Sequence, residues 1–121
     1  MMKVNNIDEE ILRARRSLET YLPDSPLTVD KQLRLIAELK LKMQDDVVHF
    51  VFRKIDGTER HAFGTRAKDI LDNYISADLS VGQKAARKVA FGTFSYFDIE
   101  RKDWRCFRVD RLVEIKNDYV L

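Results

Sequence analysis

The sequence predicts an α+β fold, a helical hairpin over residues 1–44 followed by a small β-barrel over residues 45–121. Three observations predict it. Apolar residues in the first 44 positions recur at helical spacing. From Asp46 onward the apolar period becomes two. The strand-like segments after that point fall into two hairpins separated by a longer excursion.

The first helix is read from "NNIDEEILRARRSLETYL", where Ile7, Ile11, Leu18, Tyr21 and Leu22 form the stripe. Asn6 is the expected N-cap, with Asp8, Glu9 and Glu10 in the first turn, where the helix dipole favours acids. "PDSP" at 23–26 breaks the helix. The second helix, "LTVDKQLRLIAELKLKM", presents Val29, Leu33, Ile36, Leu39 or Lys40, and Met43. Ser25 or Thr28 caps it, with Pro26 in the first turn. Leu35 and Leu41 lie off the stripe. Two such helices bury too little area to stand alone, so they must pack on something. They either cover one side of the barrel or offer Leu35 and Leu41 to a protein partner or a second copy.

"VVHFVFRKI" alternates Val48, Phe50 and Phe52 with Val47, His49 and Val51, so this strand is covered on both faces. The dipeptide "DG" at 56–57 turns the chain into "TERHAFGT". "RAKDILDNYISADL" reads as a short helix or ordered loop, and "SVGQKAARKVAFGT" is less regular. "TFSYFDI" and "WRCFRVD" are two more strands turned by "ERKD", and "LVEI" closes as a short last strand. About five short strands in so short a segment suit a small closed barrel of the SH3, Sm or OB kind.

Lys and Arg number 22 against 20 Asp and Glu, a net charge of +2. A protein that coats DNA through its global field is more lopsided, so nucleic-acid binding here needs a local patch. One cysteine, Cys106, excludes an intramolecular disulfide and fits a reducing compartment. No apolar run reaches the roughly 18 residues of a membrane span, and the acidic N-terminus is no signal peptide. A cytoplasmic protein with no membrane partner is expected.

No residues match a nucleotide phosphate loop or a serine nucleophile elbow. His49 and His61 fall on the two strands of the first hairpin but lack a third metal ligand, and Cys106 reads as a small buried hydrophobe. No metal, cofactor or catalytic residue is expected, and the protein is not read as an enzyme. Lys84, Arg87 and Lys88 form the densest basic run and share a helical face. With Arg66 and Lys68 they are candidate phosphate contacts on RNA or DNA. In "WRCFRVD", Trp104, Cys106, Arg108 and Asp110 share one face, and Arg105, Phe107, Val109 and Arg111 the other. Neither face is purely apolar, so a bulge or strong twist near Cys106 is expected. The aromatic residues either fill the barrel and its rim, or Trp104 and Tyr96 form a stacking platform flanked by Arg105 and Arg108.

The pieces "FRKIDGTER" and "GT" of the first hairpin, with "YFDIE" and "WRCFRVDRL" of the second, resemble a family of small proteins from gut Bacteroidetes and their phages and plasmids. That family is WYL-like, with an Sm-type SH3 β-barrel. The resemblance covers residues 46–115 and leaves out the helical hairpin and "VGQKAARKVAFGTF". It implies a barrel and, through the WYL and Sm relatives, nucleic-acid or ligand sensing. The leading expectation is a non-enzymatic nucleic-acid-binding accessory or regulatory protein of a phage or mobile element. The alternatives are an interaction module that docks a protein through residues 1–44, and a small-ligand sensor.

Overall fold

The computed structural model describes residues 8–75 and 91–117. Helix α1 spans Glu9–Tyr21. Asp8 is its cap: Oδ1 accepts from the N–H groups of Glu10 and Ile11 at 3.0 and 3.2 Å. The expected cap, Asn6, lies outside the described residues. Helix α2 spans Pro26–Met43, with Ser25 at the cap position and Pro26 as first residue. Proline fits there because the N–H it lacks has no partner inside the helix.

Strand β1 (Val48–Arg53) is buried from Val48 to Phe52, as a strand covered on both faces must be. The turn after it is closed by Lys54 N–H donating to the Thr58 carbonyl at 2.7 Å, and Asp56 Oδ1 accepts from both the N–H and the hydroxyl of Thr58. Strand β2 (Glu59–Thr65) returns antiparallel, pairing Phe50 with Ala62 and Val48 with Gly64. Helix α3 (Lys68–Ile75) follows. Strands β3 (Thr93–Asp98) and β4 (Asp103–Arg108) form the second hairpin. Strand β5 (Leu112–Ile115) pairs with β1, and a register shift falls between Val51 and Phe52.

The β3–β4 register is regular from Thr93↔Arg108 to Asp98↔Asp103, so of the bulge or strong twist expected near Cys106 the bulge does not form. The mixed pattern has another cause. β4 is an edge strand, where a residue on the inner row, such as Arg105, still reaches water. Nor does the strand run to Asp110. It ends at Arg108, and a single 3₁₀ turn, Val109–Arg111, intervenes.

That turn shapes the molecule. The sheet order is β4-β3-β2-β1-β5, so β4 and β5 are opposite edges. Only three residues join them. A three-residue link cannot cross an open five-stranded sheet, so the sheet rolls until its edges approach. The inner row is aromatic: Phe50, Phe52, Phe94, Tyr96 and Phe107 all belong to the buried core. Leu18 of α1 and Val29, Ile36, Leu39 and Met43 of α2 belong to that same cluster. Gln32, buried on α2, donates from Nε2 to the carbonyls of Val109 and Leu112 at 3.1 and 2.7 Å, fastening the hairpin to the corner between β4 and β5. Among the described residues no helix is long and apolar enough to cross a membrane.

Candidate functional site

The stacking platform anticipated from Trp104 and Tyr96 does not form. In β3 and β4 the paired residues share a face, and Tyr96 pairs with Arg105 while Trp104 pairs with Phe97. Tyr96 therefore points into the barrel, where it is 0% exposed and meets Phe50 edge-on at 5.0 Å. Trp104 points outward and packs edge-on against Phe97 at 5.7 Å. Arg105 is exposed on the row of Tyr96, opposite to Trp104.

Arg66 is committed elsewhere too. Its two terminal nitrogens donate to the Glu10 carboxylate at 2.8 and 2.7 Å, and Nε donates to the Ser95 carbonyl. Its guanidinium covers the Phe94 ring at 4.0 Å. It is a clamp between α1 and the barrel, not a free phosphate contact. Lys68 is exposed and pairs with Asp72, one turn away at 3.3 Å. Lys84, Arg87 and Lys88 lie outside the described residues. Leu35 is half-buried and packs against the core, whereas Leu41 is 66% exposed. Cys106 is exposed on β4, not buried as expected, because it faces outward on the row of Trp104 and Arg108.

What the fold does bring together is a groove of about 620 Å³ where the turn after β1 approaches the end of β4. Arg53, Lys54, Arg108 and Arg111 line it, with Asp56 as the one acid among its lining residues. Phe52 and Phe107 line it as well, their rings stacked at 5.1 Å and 15°. Ile55, 89% exposed, forms a lip. Each cation has a structural reason to be there. Arg53 ends β1, Lys54 opens the turn, and the 3₁₀ corner swings Arg111 back toward them. Arg53 faces Glu59 across the strands at 3.6 Å, an exposed pair worth little. Arg108 is held by Asp110, through Nε at 2.6 Å and Nη2 at 2.9 Å, and this hydrogen-bonded carboxylate pushes the Arg108 pKa up. Lys54 and Arg111 form no ion pair with a described residue. The Thr58 hydroxyl and N–H hold the Asp56 carboxyl below its ordinary value, and they also occupy it.

Sequence reasoning found Arg108 but missed Arg53, Lys54, Ile55 and Arg111. A basic pair beside a tight turn was visible. Its meeting with Arg111 was not, because the alternation in "WRCFRVD" predicts a strand through to Asp110 and no corner. A second cleft, about 350 Å³ between α1 and β3, is lined by Arg13 and by Arg66 with its partner Glu10. The two histidines also meet: His49 Nε2 and His61 Nδ1 are 2.9 Å apart, one ring donating to the other, and His49 stacks on Phe63 at 4.4 Å. Among the described residues no three metal-ligating side chains converge.

Residues 36–113 of the chain match a family model described as WYL_2, Sm-like SH3 β-barrel fold. The chain belongs to that family. The match begins inside α2, at Ile36. The chain is also similar to an uncharacterised 11.5 kDa protein of the Gp31-cd intergenic region of Enterobacteria phage T4. The two are 32% identical over 89 residues, which span 74% of this chain and 84% of the phage protein. This member of the Sm-like family thus has a phage relative, and no solved structure matches it.

Proposed function

We propose that this protein is a non-enzymatic nucleic-acid-binding accessory protein of a phage or mobile element, and that the groove beside the β1 turn is its contact surface. The groove carries the reading: four cations and one acid line a concave, aromatic-floored surface on a chain whose overall charge is only +2. Phosphates suit the cationic rim, and an apolar floor suits sugars and bases. The T4 relative supports the phage setting.

Fluorescence anisotropy with labelled single-stranded RNA, single-stranded DNA and duplex tests the reading, at low and physiological salt. Binding that weakens as salt rises, and that falls at least tenfold in a Lys54→Glu/Arg111→Glu variant, is the expected result. Absence of binding at low salt overturns it. A second reading, a protein-docking module, is favoured by the exposure of Leu27 (84%) and Leu41 (66%) on α2. Such a contact is apolar and barely responds to salt.

A further inference from the structure

We propose that Tyr21, at the end of α1, is a positioning residue for Arg108 and so sets how tightly the groove holds an anion. The inference rests on the groove reading above. The Arg108 guanidinium lies over the Tyr21 ring, its central carbon 3.9 Å from the ring centroid. One edge of the same group is bonded to Asp110 through Nε and Nη2. A guanidinium has five N–H donors in one plane. The ring fixes the orientation of that plane, and the carboxylate fixes its rotation. The remaining donors are left for the groove that Arg108 lines. Arg53 has no such support: its exposed pair at 3.6 Å leaves the side chain to find its geometry on binding. An arginine already held in place loses less side-chain entropy when an anion arrives.

Tyr21 is itself held. At Gly92 a Cβ would fall 2.5 Å from the Tyr21 hydroxyl, so only glycine lets the chain pass so close, and its φ of +75° asks for glycine as well. Phe91 meets the ring edge-on at 6.2 Å. The Gly92 carbonyl accepts from Val109 N–H at 2.8 Å, which binds this pass to the residue after Arg108. Helix α1, outside the family match, thus reaches the groove residue Arg108 through the ring of Tyr21.

The test uses the full chain and the labelled single-stranded DNA of the preceding experiment. Tyr21→Leu removes the aromatic face, Tyr21→Phe keeps it, and Arg108→Gln removes the cation that lies over it. The expected result is a three- to tenfold loss of affinity in Tyr21→Leu, on the order of one cation–π contact, with wild-type affinity in Tyr21→Phe. Tyr21→Leu should have no further effect in the Arg108→Gln background. Tyr21→Met gives the same readout if Tyr21→Leu does not fold. If the aliphatic variant binds as wild type while Lys54→Glu/Arg111→Glu weakens binding, this inference falls and the groove reading stands. If the wild type binds no nucleic acid, both fall.

Discussion

Gly64 stands where the barrel has no room for a side chain. A Cβ there would lie 2.5 Å from Cδ2 of Tyr96 and 3.3 Å from Cε of Met43. Tyr96 is walled in and cannot step aside, so Gly64→Ala should cost about 1–3 kcal/mol or more in urea unfolding. Tyr96 carries a flaw of its own: among the described residues its buried hydroxyl has no well-formed hydrogen bond, although the Arg105 side chain acts on it. Tyr96→Phe removes the unsatisfied group and keeps the ring, so the variant should match or exceed wild-type stability, by up to about 1 kcal/mol. Burial foremost, then the charge of Asp98, pushes the Tyr96 pKa up to about 12. The folded state therefore keeps its proton where the unfolded chain, at about 10, has lost it. Stability should sag as pH rises from about 10 to 12, and Tyr96→Phe should lose that part of the sag in alkaline melts.

At the scale of elements, the helical hairpin is pinned to the barrel by a chain of ion pairs. Asp8 and Glu10 of α1 both meet Lys40 of α2, at 2.7 and 3.1 Å, and Glu10 also takes the fork of Arg66. The Lys40 hydrogen bond holds the Asp8 carboxyl below its usual value. Burial alone would raise Glu10, but Arg66 and then Lys40 outweigh it, and its net shift is downward. Groups depressed in the folded state stabilise it above the ordinary carboxylate range and lose that contribution as pH falls through their lowered values. Acid should therefore loosen α1 first, and Glu10→Gln should flatten the acid limb of a pH titration followed by circular dichroism. At pH 7 the same variant should cost about 1–3 kcal/mol, since Arg66 keeps its burial and loses its counter-charge. None of this was legible in the sequence, where Glu10 and Arg66 are far apart. The elements themselves were, because β1 is apolar on both faces and "DG" marks its turn. What failed was the facing of Trp104 and Tyr96. Their relation depends on the register Phe97↔Trp104, which the two strands settle only once paired.

For the whole molecule, the shared core matters more than the seam between helices and strands. Ile36 and Leu39 are 0% exposed and pack with Phe50 and Phe94 in one cluster. Ile36→Ala should cost about 2–5 kcal/mol, and Trp104 fluorescence and far-ultraviolet dichroism should report one coincident transition. Separate transitions would mean that hairpin and barrel fold as independent units. The groove belongs to this scale as well. It is made of a turn, an edge strand and a corner, and no local pattern announces such a meeting.

The pairing of β1 with β5 joins Phe50 to Ile115, so the barrel cannot close until the chain is available through β5. Such a seam raises the contact order, and folding on the millisecond-to-second scale of non-local β topologies follows, with the hairpins formed before the seam. During synthesis, β1 waits with one edge unpaired until β5 emerges. The apolar face of α2, made earlier, is the natural cover for the aromatic row in that interval.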